Sequence, residues 1–145
     1  MIIQRSRIFP EEDFPIWIYR GQQRNTPFYP THAHERFNEL LIALGGTGRQ
    51  VINGVSYNCI PGDVFCLRAG DSHSFHDMRN WSSITIGYDS TMLARLCPFM
   101  VSNAQFHGLF LETDAHPPGN FVGRFRLSLG TLEDIRERGD SLARE

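Results

Sequence analysis

Thr31-His32-Ala33-His34-Glu35-Arg36-Phe37-Asn38-Glu39-Leu40-Leu41-Ile42-Ala43-Leu44 decides how this chain is read, together with Pro61-Gly62-Asp63-Val64-Phe65-Cys66-Leu67-Arg68-Ala69-Gly70-Asp71-Ser72-His73. His32 and His34 stand one residue apart. On a strand, residues i and i+2 share a face, so both imidazoles reach one point in space. Glu39 reaches that point from the next strand, and His73 only if a sheet folds back on itself. Imidazole nitrogen and carboxylate oxygen are the donors that a borderline or hard divalent metal takes. The same side chains also suit a polar pocket that hydrogen-bonds an organic ligand, and the residues alone leave both readings open.

Working outward, Leu40–Leu44 is a continuous apolar run, as in a strand buried on both faces. Gly45-Gly46-Thr47-Gly48 reads as a turn; it lacks the Lys-Ser/Thr pair of a phosphate loop. Asn53-Gly54 between two strand patterns is a hairpin signal, because both central residues of such a turn take positive φ. Pro61-Gly62-Asp63 and Ala69-Gly70-Asp71-Ser72 are further turns, with strands at Val64–Leu67, at His73–His76 and at Trp81–Tyr88. Short strands with regular Gly/Pro turns predict an all-β jelly-roll barrel.

The pattern His32-x-His34, Glu39 and Gly46 resembles the first motif of the cupin superfamily, and Gly62 with Gly70-x-x-His73 resembles the second. Arg68 stands where many cupins carry proline, and Asp77 where some carry asparagine. Glu39 to Gly48, Ile52-Asn-Gly-Val-Ser-Tyr and Pro61-Gly-Asp-Val-Phe-Cys-Leu are similar to the N-terminal sensor domain of AraC-type transcriptional regulators. Leu109-Phe-Leu-Glu and Phe125-Arg-Leu-Ser, followed by an acidic helix, resemble the end of that domain. The resemblance implies a cupin-like jelly-roll barrel over residues 1–130 that binds a small molecule, a sugar or other polar metabolite. It implies His32, His34, Glu39 and His73 as its polar groups, acting directly or through one divalent metal (Zn, Ni, Fe or Mn). Arg49, Phe75, Trp81 and Tyr88 are candidates for lining the pocket. DNA would be met only through a helix-turn-helix domain outside this chain. The alternative is a stand-alone metal-dependent cupin enzyme, a dioxygenase or isomerase.

The whole chain agrees with one domain. Its 145 residues suffice for a core, and 41% hydrophobic with 21% charged residues is ordinary for a globular protein. A net charge of −2 without a basic stripe makes this chain alone a poor nucleic-acid binder. Cys59, Cys66 and Cys97 have no CxxC spacing and read as small apolar residues in a reducing compartment, the cytoplasm. No run approaches the roughly 18 apolar residues of a membrane span. No nucleophilic Ser-His-Asp context is visible. His76, His107 and His116 lie off the motifs and read as surface or core histidines.

At the N-terminal side, Phe14-Pro15-Ile16-Trp17-Ile18-Tyr19 reads as a strand covering the barrel, or as an arm closing over a ligand, punctuated by Pro10 and Gly21. Past the barrel, Ser90 is expected to cap a short helix ending before Pro98, and Leu109–Leu111 to be extended. Residues 131–145 are expected to form a helix capped by Thr131, with Leu132, Ile135 and Leu142 on one face and Gly139 as a weak point. The open stripe at Leu142 implies a chain that continues. The helix face is expected to pack on the barrel, on the helix of a second subunit in a homodimer, or on both.

Overall fold

The computed structural model describes residues 1–9 and 16–142, with the backbone only at residues 22–24, 140 and 142. Pro10, Phe14 and Pro15 therefore lie outside the described residues. In chain order the elements are β1 (Ile2–Gln4), α1 (Arg5–Ile8), β2 (Ile16–Glu35), β3 (Asn38–Ile52), β4 (Val55–Cys59), β5 (Asp63–Leu67) and β6 (His73–Tyr88). They continue with α2 (Ser90–Leu96), α3 (Pro98–Ser102), α4 (Ala104–Phe106), a π-helical turn (His107–Leu111), β7 (Arg124–Arg126) and α5 (Leu129–Leu142).

Three long strands set the architecture. The ladder runs β1-β2-β6-β3-β5-β7, with β4 also paired to β3. Central β6 pairs with β2 from Ile16↔Tyr88 to His32↔His73, and with β3 from Asn38↔Tyr88 to Ile52↔His73. All three long strands bend in the middle, where the pairing register shifts. Such bulges turn a strand from one sheet layer into the other. The result is a jelly roll whose ladder ends at β1 and β7 rather than closing.

The bends correct two expectations. Gly45–Gly48 is not a turn but the bulged centre of one continuous β3, and His73–His76 and Trp81–Tyr88 belong to one β6. Gly46 has φ 77° and lies against the β6 bend, where Asp77 and Asn80 also have positive φ. A Cβ on Gly46 would sit 2.3 Å from the Arg79 carbonyl oxygen. Asn53 and Gly54, with φ 49° and 85°, make the expected hairpin between Ile52 and Val55.

Alternation along the strands builds two cores. Leu41, Ala43, Phe65 and Leu67 face inward with Ile52, Met78 and Trp81. Ile42, Leu44, Val64, Cys66 and Ile84 face outward and are covered by Leu132 of α5, with Ile135 beside it. The apolar face of α5 thus packs on the barrel. The Leu142 side chain lies outside the described set. Gly139 faces β6 closely: a Cβ there would lie 2.3 Å from Ile84 Cδ1. Arg136 Nε donates to the Leu44 carbonyl at 3.1 Å.

Local chemistry moved the helix starts. The Ser128 hydroxyl, not Thr131, accepts from the Thr131 N–H at 3.2 Å, and α5 begins at Leu129. Asp89, not Ser90, caps α2 by accepting from the Met92 N–H at 3.0 Å. Pro98 opens α3, where a missing N–H costs nothing. Leu109–Leu111 is helical rather than extended: Asn103 caps the preceding turn, and the Phe106 and Phe110 rings pack at 5.6 Å. Arg68 holds that turn against the barrel by donating from Nη2 to the Gly108 carbonyl at 2.9 Å.

Among the described residues no helix is long and apolar enough to cross a membrane.

The bend glycine gives the first prediction. Gly46→Ala should lower unfolding free energy by about 2–4 kcal/mol, because positive φ and a backbone clash add. Gly54→Ala has the same φ problem but open space around it, and should cost only about 1 kcal/mol. Urea denaturation of the two variants compares them; equal losses would remove the clash at the bend.

Candidate functional site

β2 ends on His32 and His34, β6 begins on His73 directly opposite His32, and β3 supplies Glu39 at its second position. The four side chains converge inside the jelly roll and are all buried. The His32 and His73 ring centres are 4.1 Å apart. His34 Nε2 lies 3.5 Å from His73 Nε2 and 3.3 Å from Glu39 Oε2; Glu39 Oε1 is 3.8 Å from His73 Nε2.

Burial governs the protonation of this group. It pushes Glu39 up to about 8 and His34 down to about 4, with the neighbouring His32 charge adding to the latter. His73 is held well below the usual imidazole range by burial and by His32 and His34, and burial also lowers His32. At neutral pH the cluster is a carboxylic acid facing neutral imidazoles.

The three imidazoles could hold a metal ion. One ligand atom from each of His32, His34 and His73 lies within 4.8 Å of the others. Tetrahedral ligands at about 2.0–2.1 Å from zinc stand roughly 3.3–3.4 Å from one another, which the His34–His73 and His34–Glu39 separations match closely. His32 Nδ1–H donates to the Pro30 carbonyl at 3.0 Å, leaving Nε2 with a lone pair. Gln50 Nε2 approaches His73 Nδ1 at 3.0 Å, while Gln50 Oε1 and His34 Nδ1 are buried without a hydrogen-bond partner.

The cluster forms one side of a cavity of about 400 Å³, within the size range of small-molecule sites. Trp17, Tyr19, Tyr29, Phe37, Phe75 and Trp81 give it aromatic walls, and Thr26, Ser83 and Thr85 add hydroxyls. Trp17 and Tyr19 stack with ring centres 5.9 Å apart. Ile3 and Ile8 from the N-terminal segment complete the wall. Phe9 anchors that segment by packing edge-on against Phe37 at 5.5 Å.

Of the sequence candidates, His32, His34, Glu39, His73, Phe75 and Trp81 line this cavity. Arg49 does not: it points outward and pairs with Asp77 at 2.7 Å. Tyr88 is buried, but away from the cavity wall. The register shifts in β3 between Ala43 and Arg49 explain Arg49, because a bulge exchanges the faces of the residues beyond it. Gln50 takes the inward place instead and was missed by sequence reasoning, as were Trp17, Tyr19, Tyr29 and Thr85. The signal for Gln50 was its shared face with buried Ile52; for Trp17 and Tyr19 it was their period-two spacing. Off the site, His76 bonds to Ser74 Oγ, His107 pairs with Glu112, and buried His116 lies 2.6 Å from Asp71.

Comparison with known proteins follows the same lines. The family of the AraC-like ligand binding domain matches residues 16–133. The HTH-type transcriptional activator RhaR of Yersinia pseudotuberculosis is 26% identical over 146 residues, covering 100% of this chain and 46% of that protein. The HTH-type transcriptional activator RhaS of Mannheimia succiniciproducens is 36% identical over 52 residues, 36% of this chain and 19% of that one. The chain therefore spans less than half the length of these curated relatives. Among solved structures, ToxT from Vibrio cholerae aligns with TM-score 0.56 and 8% identity over 86% of this chain and 47% of that one. The cupin domain of Schizosaccharomyces pombe Cnp3 aligns with TM-score 0.50 and 11% identity over 61% and 66%. These two likenesses concern the fold alone.

The buried cluster sets a pH dependence for metal-free protein. The raised Glu39 contributes stability that is fully present below its unfolded value of 4.5 and lost as pH climbs to about 8. The lowered His34 contributes stability present above 6.5 and lost as pH falls toward about 4. Just above pH 6.5 the unfolded imidazoles of His32, His34 and His73 are still partly protonated and oppose the Glu39 effect, so the net fall should emerge only above about pH 7.5, by less than about 1.4 kcal/mol per pH unit. Glu39→Gln should remove that fall in urea titrations run at each pH. A difference between wild type and Glu39→Gln that stays constant from pH 6.5 to 8 would show the carboxylate already ionised.

Proposed function

Because the chain belongs to the family of AraC-like ligand binding domains, we propose that it senses a small effector in its jelly-roll cavity and passes the binding event to a DNA-binding domain of the same regulator. The cavity carries the reading: it is aromatic along its walls and bordered by the buried histidine and glutamate cluster. Such a shape suits a sugar or other polar metabolite, whose apolar faces stack on Trp17, Tyr19 and Trp81 while its hydroxyls meet the histidine and glutamate cluster. A divalent ion held by His32, His34, Glu39 and His73 would supply a Lewis-acidic anchor for those hydroxyls. Ile3, Ile8 and Phe9 place the N-terminal segment against the cavity, so ligand and segment contacts are coupled, and unequal affinity for two arrangements shifts their populations.

The regulator reading places the protein in the cytoplasm and makes DNA a partner only through a helix-turn-helix domain. It also favours a homodimer, since two-fold pairing presents two reading domains to two half-sites. Leu132 and Ile135 are committed to the barrel. The surface for pairing is then the flank of α5 around Val122, Phe125 and Leu129, where Leu129 is 80% exposed. The second reading, a metal-dependent enzyme, uses the same four donors. Ligand recovered chemically unchanged after prolonged incubation separates a sensor from an enzyme.

Metal loading gives the direct test. Zn²⁺ at about 100 times its dissociation constant adds roughly 2.7 kcal/mol, which for a domain of this size raises Tm by roughly 5–10 °C. Chelator-treated wild type should show that rise, and His34→Ala should lose most of it. A sugar panel that shifts Tm in metal-free protein, with no response to Zn²⁺, Ni²⁺, Fe²⁺ or Mn²⁺, would replace the metal anchor by direct hydrogen bonding.

A further inference from the structure

We propose that Gln50 selects the tautomer of His73, and so decides whether the cluster presents a lone pair or a hydrogen at its centre. The proposal rests on the metal reading of the cluster and extends it to a residue outside the donor set. Gln50 is fully buried on β3, beside Phe75 of β6. Its Nε2 lies 3.0 Å from His73 Nδ1, and its Oε1 is buried without a hydrogen-bond partner.

A neutral imidazole carries one N–H and one lone pair. With the Gln50 amide nitrogen turned to the ring, Nδ1 accepts and the hydrogen sits on Nε2. That hydrogen then points toward His34 Nε2 at 3.5 Å and Glu39 Oε1 at 3.8 Å. In this arrangement the hydrogen occupies the atom that would ligate, and His73 cannot hold a metal through Nε2. Rotating the amide by about 180° about its last torsion leaves its shape nearly unchanged. It puts Oε1 against Nδ1, which then donates, and Nε2 becomes a bare donor atom. Because Oε1 has no partner in the first arrangement, no hydrogen bond to that atom holds the amide there.

The three imidazoles differ in this respect. His32 is fixed by the Pro30 carbonyl, which can only accept. His34 Nδ1 has no partner to choose its tautomer. Gln50, able to donate or accept, makes His73 the switchable one. It acts through His73 and is a positioning residue for ligation, in the way that outer partners orient metal-bound histidines.

The experiment uses ¹⁵N-histidine-labelled protein, long-range ¹H–¹⁵N correlation to read the His73 tautomer, and calorimetric titration with Zn²⁺. Wild type should show Nε2–H when metal-free and Nδ1–H when loaded. Gln50→Met, close in shape but unable to bond the ring, should mix the metal-free tautomers and weaken Zn²⁺ about 10- to 100-fold. Gln50→Glu, at a pH where its buried carboxyl is ionised, only accepts, so there it should give Nδ1–H without metal and restore the affinity. An unchanged tautomer and affinity in Gln50→Met would overturn the assignment. If Gln50→Met does not fold, retention of Nε2–H in metal-free Gln50→Glu with its carboxyl ionised overturns it equally. Should wild type take no Zn²⁺, the metal reading fails while the variants' tautomers still decide the role of Gln50: a change supports it and no change sinks it.

Discussion

A strand sends neighbouring side chains to opposite faces, and β3 and β6 must satisfy both faces at once. Everything else follows from that constraint. Leu41 and Ala43 fill the interior while Ile42 and Leu44, their immediate neighbours, form the outer layer under α5. One stretch of chain therefore fixes the interior and the seat of a helix together. β5 shows the same division in five residues, Phe65 and Leu67 inward, Val64 and Cys66 outward. Continuous apolar runs are the sequence mark of strands loaded on both sides.

Burying four ionisable side chains beside that interior is costly unless their charges are absent or compensated. Here the cluster is neutral at neutral pH, with a protonated carboxyl and unprotonated imidazoles. A divalent cation would reverse the preference for Glu39 alone, drawing off its proton while leaving the imidazoles neutral. The same buried side chains can thus stand as a neutral cluster or as a ligand set. Elsewhere buried charge is compensated outright: Asp63 accepts from Arg124, from Arg126 at 2.9 and 3.0 Å, and from the Ile60 N–H.

The jelly roll and the convergence of His32, His34, Glu39 and His73 were legible because i, i+2 spacing and apolar runs act over a few residues. Arg49 and Tyr88 were misplaced because face assignment was carried across distances where it fails. Counting by twos from Glu39 puts Arg49 inside, but the bulge around Gly46 changes the parity and admits Gln50. Tyr88 lies seven residues from Trp81, an odd separation that puts them on opposite faces of β6. Caps failed by smaller margins: Ser128 and Asp89 each stood beside another plausible cap, and only the backbone path chooses between them.

The pairing of Ile16 with Tyr88 and of Asn38 with Tyr88 has a kinetic consequence. The central strand is the last of the long strands to be made, and both of its partners wait for it. Closing these long loops takes entropy before any contact rewards it, so folding should be slow for a domain of this length. Until β6 arrives, β2 and β3 expose unpaired edges that other chains can join. His73, the first residue of β6, enters its place only with that strand, so the donor cluster forms only once β6 has docked.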